Sequence, residues 1–334
     1  MASPSTIAVT GATGLLGGNL AAQLIERGYN VRATRRAGSR IDHLRHLPIE
    51  WRVADLENQA ALADAFAGIA AVFHCAGCVV QSRRLTPAHV AANVTGVRHV
   101  VQAVEAAGVE RLVHCSSAVT CAISTDGSLV DETQAWNFAD FGLLDGYSRS
   151  KREGEEIVLA ATRERIDAVV VNPTLMFGPL DAKPSSGQLI VAMSRGLIRT
   201  WPGGENNLVD VRDVARGMIA ALHQGRRGER YILAGENLSY RRILTLISDA
   251  LGMRPPLFGL PYGIAMAAGL AGDAFEFVTG VTPRVNSAIV RYGYCMGYRF
   301  SSAKAERELN YVPGSVEVAI ADAVEWLREA RMVA

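Results

Sequence analysis

Tyr147-Ser148-Arg149-Ser150-Lys151 puts a phenol and an amine four positions apart at the predicted start of a helix. Positions i and i+4 share a helix face, so both side chains can reach one site. A free phenol titrates near ~10, too high for easy proton exchange at neutrality. A nearby ammonium favours the phenolate, so Lys151 is expected to lower the pKa of Tyr147. A third group is needed to hold the substrate oxygen. Ser116-Ser117 supplies it at the end of a predicted strand, on the sheet edge where ligands of open α/β folds bind. The chemistry that fits is proton transfer at a carbonyl or alcohol oxygen.

Such chemistry needs a hydride carrier. The β-branched run Thr6–Thr10 leads straight into Thr10-Gly11-Ala12-Thr13-Gly14-Leu15-Leu16-Gly17, with glycines at i, i+3 and i+6. Glycine permits the tight turn, the approach of backbone to a pyrophosphate and close helix–strand contact. The helix that follows offers unpaired N–H groups to phosphates. A glycine pattern is informative when it follows a strand and opens a helix, as here.

An NAD site places an acid at the end of the second strand to hold the ribose hydroxyls. This chain has Thr34-Arg35-Arg36 there, with Arg40 following. Guanidinium groups suit a 2′-phosphate, which favours NADP(H), with NAD(H) as the alternative. Asp55-Leu56, closing the third strand, is a candidate contact to the adenine edge, in competition with a simple turn aspartate.

The elements that position these groups are legible as apolar runs. They are Val31–Thr34, Ile49–Ala54, Ala70–Cys75, Arg111–Ser116 and Asp167–Asn172, mostly separated by helical patterns. One helix, Thr86–Ala107, opens with Thr86 as N-cap and Pro87 at the first turn. Near-continuous apolar strands alternating with helices predict an α/β fold, a doubly wound parallel (Rossmann) sheet. After Asn172, prolines and glycines mark long loops; a helix Val211–His223 and a strand Arg230–Leu233 are expected to rejoin the sheet. The dinucleotide-binding domain is therefore assigned to residues 1–180, rejoined by about 205–235. A smaller, mostly helical C-terminal substrate lobe takes 181–204 and 236–334.

Composition narrows the classes. The 334 residues are 49% hydrophobic and 20% charged, with net charge +1, so neither a nucleic-acid partner nor strong attraction to anionic surfaces is expected. Five cysteines form no disulfide framework. Cys75-x-x-Cys78 reads as small residues ending a buried strand rather than a redox pair or half a zinc site, and no metal is expected. The N-terminus lacks a signal-peptide pattern, which predicts a cytoplasmic protein. The apolar stretch Leu257–Val281 is interrupted by Pro261, Gly263, Gly269, Gly272, Asp273 and Glu276. It predicts a buried or substrate-facing helix rather than an integral membrane span, with loose membrane association as the lesser alternative.

Taken together, TGATGLLG (Thr10–Gly17), ADL (Ala54–Leu56), FHCAG (Phe73–Gly77), NVTGVRHV (Asn93–Val100), HCSS (His114–Ser117), YSRSK (Tyr147–Lys151), NPTLMFGP (Asn172–Pro179), VDVRDVA (Val209–Ala215) and FSSAKAERELNYVP (Phe300–Pro313) resemble an extended short-chain dehydrogenase/reductase. The resemblance spans nearly the whole chain. It implies a catalytic triad of Ser117, Tyr147 and Lys151, the second serine of the pair being the active one. It implies cofactor contacts from Gly11, Thr13, Gly14, Leu15, Leu16 and Gly17, and from Arg35, Arg36, Asp55 and Leu56. Further contacts fall to Cys75, Ala76, Gly77, Tyr147, Lys151, Pro173 and Thr174. Asn93 matches a family asparagine at a helix kink, a structural role being at least as fitting. Cys78 departs from the family pattern and has no assigned role.

Within the family, NPTLMFGP is similar to the dihydroflavonol reductase and 3β-hydroxysteroid dehydrogenase branch. That implies a small hydrophobic ketone or aldehyde, or its alcohol, as substrate. Met176, Phe177, Leu257, Phe258, Leu260, Tyr262, Met266, Phe275 and Phe277 make the lobe apolar, although each is more simply read as core. A nucleotide-sugar epimerase or dehydratase holding NAD is the alternative, with Arg195, Arg199, Arg212 and Arg291 as candidate diphosphate ligands. A non-catalytic NADP-sensing protein is a third reading, disfavoured because both Tyr147 and Lys151 are kept. A homodimer through helices Thr86–Ala107 and Gly146–Arg163 is what the family implies.

Overall fold

The computed structural model describes residues 5–333. Strands β1 (Thr6–Thr10), β2 (Asn30–Arg35), β3 (Ile49–Val53), β4 (Ala71–His74), β5 (Arg111–Cys115) and β6 (Ala168–Pro173) pair in parallel. Period-2 alternation sends their side chains to opposite faces. Ile7, Val9, Phe73, Val113 and Val171 enter one core, and Ala8, Val72, Leu112 and Val170 enter the other. Both faces are buried, which is why the strands read as continuous apolar runs.

Helix α1 (Leu15–Glu26) covers the first face; α2 (Gln59–Phe66) covers the second. The predicted helix Thr86–Ala107 is broken in the structure. It runs as α3 (Pro87–His89), a π-helical stretch Val90–Thr95, then α4 (Gly96–Ala106). Thr86 caps it, its hydroxyl accepting from His89 N. Next comes α5 (Gly146–Ala161), also on the second face.

Three short strands form a separate sheet: β7 (Leu175–Phe177), β9 (Glu205–Asp210) and β11 (Glu236–Ser239). Strand β8 (Thr200–Trp201) pairs with β12 (Phe258–Gly259), and α6 (Gly187–Ser194) precedes it. Helix α7 (Val211–Gln224) packs beside α1, and β10 (Arg230–Leu233) rejoins the main sheet against β6. The main sheet is therefore β10-β6-β5-β4-β1-β2-β3, all parallel. Its order reverses between β1 and β4, which opens a crevice at their carboxyl ends.

A further core joins Phe177, Ile190 and Leu208 to α8 (Tyr240–Leu251) and to the C-terminal α12 (Val316–Glu329). Helices α9 (Tyr262–Thr279), α10 (Ser287–Gly293) and α11 (Ala303–Leu309) complete the chain. Of the expectation that Leu257–Val281 is buried or substrate-facing, the burial half fails, since in α9 only Ala265 and Gly269 are buried. No helix among the described residues is long and apolar enough to cross a membrane.

Candidate active site

The glycine turn sits at the switch point. Gly11 has φ +72°, and a Cβ there would lie 2.6 Å from Ala76 N, so β1 can reach the end of β4 only through glycine. A Cβ on Gly17 would lie 2.3 Å from Gly11 O, so the turn and α1 close on one another. Gly14 caps α1 with no side-chain hydrogen bond. The first-turn N–H groups of Leu15, Leu16 and Gly17 therefore lack partners ahead of them, with Thr13 in the turn just before. Gly17→Ala is expected to cost about 1–3 kcal/mol of overpacking and to weaken dinucleotide binding. Thermal melting and a fluorescence titration would show both losses.

Thr10 ties the two strand ends together. Its hydroxyl lies 2.7 Å from His74 Nδ1 and accepts from Ala76 N. Cys75 and Ala76 thus line the crevice floor, and burial pushes the Cys75 thiol up, so it stays protonated. At the end of β2, Arg35 Nε is buried without a hydrogen-bond partner, and Arg36 is exposed. Arg40 is engaged with Asp42. Asp55 accepts from Glu57 N and is half-buried, making the turn before α2, while Leu56 O is held by His99. Pro173 ends β6, and the Thr174 hydroxyl donates to Asn207 Oδ1 at 2.7 Å, spending it inside the fold.

These features fit a dinucleotide: a cradle that a Cβ would fill, an uncapped helix start, and an orphaned buried guanidinium N–H. The Gly11–Gly17 turn and α1 would hold the pyrophosphate, and Arg35 the adenosine end.

The candidate catalytic groups lie at the end of β5 and on α5. Ser116 is buried and its hydroxyl reaches Thr120, whereas Ser117 is half-exposed and starts the following turn. The Ser117 hydroxyl accepts from Val119 N and stands beside the Tyr147 phenol, near enough to favour its ionised form. Asp145 caps α5, accepting from Ser148 N at 2.7 Å, which sets Tyr147 in the first turn. Lys151 is buried, and its Nζ donates to Cys115 O at 2.8 Å, two residues before Ser117. The structure therefore places Ser117 and Tyr147 side by side and anchors Lys151 on the same strand end.

One expectation is corrected. Burial pushes the Tyr147 phenol well above its ordinary value, the Ser117 hydroxyl pulls it only part of the way back, and any lowering by Lys151 is outweighed. The Lys151 amine is itself lowered by burial, opposed by Glu155.

Asn93 sits in the π-helical stretch. Its Nδ2 donates to Cys78 O and to Ser150 Oγ, and its Oδ1 accepts from Cys78 N. It fastens the loop after β4 to α5, and so fixes Cys78 by its backbone. A Cβ on Gly154 would lie 2.2 Å from Asn93 O, so α5 crosses this stretch in contact.

Two groups were missed from sequence. The first is an aromatic cluster of Phe138, Tyr292, Tyr298 and Phe300, with Trp136 stacked on Phe138 and Tyr147 packed against it. Of the lobe residues singled out, Phe177 is core, while Leu257, Phe258, Tyr262, Phe275 and Phe277 are exposed. Position between Ser117 and Tyr147 in the chain was the available signal for Trp136 and Phe138. The second is buried Glu155, whose Oε2 accepts from Thr120 Oγ1 at 2.7 Å and from Asn172 Nδ2 at 2.6 Å. Arg230 Nε lies 2.9 Å from Glu155 Oε1, although its N–H is not aimed at the oxygen.

Comparison with known proteins agrees with this geometry. The NAD dependent epimerase/dehydratase family model matches residues 7–234. A Synechocystis sp. protein named as a dihydroflavonol 4-reductase is 34% identical over 96% of this chain and 94% of its own length. Sterol demethylase protein B of Methylococcus capsulatus is 34% identical over 98% of this chain and 100% of its own. The crystal structure of gox2253 superposes with a TM-score of 0.86 at 32% identity, covering 99% of this chain and 100% of that one. The chain belongs to the NAD-dependent epimerase/dehydratase family, the extended short-chain dehydrogenases/reductases, and is an NAD(P)-dependent oxidoreductase.

Proposed function

We propose that the chain reduces a hydrophobic ketone or aldehyde with NADPH, or oxidises the matching alcohol, using Ser117, Tyr147 and Lys151. The observation that carries this reading is the convergence of three groups at the carboxyl end of β5: Ser117 opens the turn there, Tyr147 stands beside it in the first turn of α5, and Lys151 Nζ is anchored on Cys115 O. The two hydroxyls together hold the substrate oxygen. Tyr147 donates its proton as charge develops there, and burial keeps the phenol in the protonated form that a general acid requires. Lys151, held by Cys115 O, would hold the nicotinamide ribose. When bound, the nicotinamide supplies or accepts the hydride.

The relatives named for a dihydroflavonol and for a sterol support an apolar, ring-bearing substrate, as does the aromatic cluster against Tyr147. The lobe formed by 181–204 and 236–334 would take it. A sugar diphosphate is less well served: Arg212 is already paired with Asp210 and Asp322. The test is NADPH and NADH oxidation, followed in parallel against a panel of aromatic and steroid ketones and aldehydes. Turnover with several of them supports the reading. Protein purified with bound NAD and inert toward all of them would support the epimerase instead.

The NADPH preference rests on Arg35, whose Nε is buried and unpartnered at the end of β2. Arg35→Ser is expected to weaken NADPH roughly 10- to 100-fold, the worth of charge-assisted bonds to a phosphate, and to leave NADH unchanged. Equal losses for both cofactors would remove Arg35 from 2′-phosphate recognition.

A further inference from the structure

The outer face of α9 is built the wrong way round for a helix of a water-surrounded domain. Its inward stripe consists of Ala265, Gly269 and Gly272, small residues that let α9 close on Ser287 and Val285. Its large side chains point outward: Ile264 is 62% exposed, Phe277 70% and Val278 81%. Leu257 and Phe258 extend the surface before the helix, and Val281 after it. A continuous apolar face of this kind marks an interaction surface.

Charge identifies what covers it. Between residues 253 and 285 the only carboxylates are Asp273 and Glu276, and both are turned inward. Asp273 accepts from Ser287 N, and Glu276 accepts from Ser82 and Thr282 hydroxyls. The cations face out. Arg254 and Arg284 flank the helix in sequence and are exposed. Arg84 lies over the Phe277 ring at 5.0 Å, and Arg83, 3.8 Å from Asp273, keeps most of its side chain in solvent. Exposed aromatic and aliphatic side chains rimmed by arginines, with no outward carboxylate between residues 253 and 285, complement an anionic lipid surface.

We propose that α9 lies flat on an anionic membrane, its apolar face in the lipid and Arg83, Arg84, Arg254 and Arg284 at the headgroups. The helix does not span the membrane; it is an interfacial one. The segment leaving β4 joins this face to the active site: Gly77 is packed against Asn93 and Lys151, and Ser82, five residues on, donates to Glu276. The docked face would flank the route by which a lipid-dissolved substrate arrives. The inference does not depend on the proposed reaction, because docking is read without turnover.

The experiment is cosedimentation of the whole chain with vesicles of pure phosphatidylcholine and of phosphatidylcholine mixed with phosphatidylglycerol, at low and high salt. The expected result is binding to the anionic vesicles that weakens with salt, and little binding to neutral ones. Two double variants, Phe277→Ser with Val278→Ser and Arg83→Glu with Arg84→Glu, should each lose at least ~10-fold in vesicle affinity. Unchanged NADPH binding and melting would show that both remain folded. No binding of the parent chain to anionic vesicles at low salt would overturn the proposal. So would equal binding by parent and variants, or light scattering that finds a parent dimer made monomeric by the Phe277/Val278 change, since a second copy would then cover the face.

Discussion

Tyr147→Phe is expected to bind NADPH as the parent chain does and to lose turnover by about 10²–10⁴-fold, the contribution of a positioned general acid. The ring stays, so its packing against the Phe138–Tyr292–Tyr298 cluster stays, and only the hydroxyl beside Ser117 is removed. The pH dependence provides a second reading of the same group. Burial raises the phenol above its ordinary value, so the acid form persists as pH rises through neutrality. Reduction, which uses the acid form, should therefore show no alkaline fall below pH ~10 that originates in Tyr147. Alcohol oxidation uses the phenolate and should speed up with rising pH over the same range. Steady-state rates in both directions, with parent and variant, check the assignment. Normal turnover by Tyr147→Phe, or reduction that falls away near neutrality with a loss absent from the variant, would remove this phenol as the proton donor.

Most of the frame was legible because it rests on local patterns. Strands buried on both faces advertise themselves as apolar runs, and Thr10–Gly17 has few alternatives to a strand–turn–helix. The helix partners Tyr147 and Lys151 were legible from spacing alone. What spacing could not reveal was burial. The electrostatics of Tyr147 came out with the opposite sign because desolvation, invisible in the sequence, outweighs a neighbouring amine that is itself tied to Cys115 O. The same blindness misplaced α9: an apolar composition says that a helix avoids water, not whether protein or something else covers it. The break at Val90–Thr95 was legible only through the resemblance of Asn93, since nothing in its propensities demands a π-helical turn.

Glu155 shows the limit most clearly. In Lys151-Arg152-Glu153-Gly154-Glu155-Glu156 it reads as one member of a solvated charge run, yet it is fully buried. It stands one helical turn beyond Lys151 and gathers four elements onto one carboxylate: its own α5, the turn after β5 through Thr120, β6 through Asn172 and β10 through Arg230. Thr120 Oγ1 and Asn172 Nδ2 also reach Ser117 O, at 2.8 Å and 3.2 Å, so the same cluster holds the backbone of the proposed catalytic serine. Removing one partner of a buried ion pair strands the other in low dielectric. Glu155→Ala is therefore expected to cost about 3–5 kcal/mol, a large share of a typical total of about 5–15 kcal/mol. Replacing both ions, as Glu155→Leu with Arg230→Met, removes the stranded charge and should recover much of that loss. Urea unfolding of the three variants measures the difference. A double variant as unstable as Glu155→Ala would show that the penalty comes from lost packing and not from an unpaired charge. Where Glu155→Ala stays folded, kcat should fall while the KM for NADPH holds, because the displaced backbone is that of Ser117 and the glycine turn is untouched.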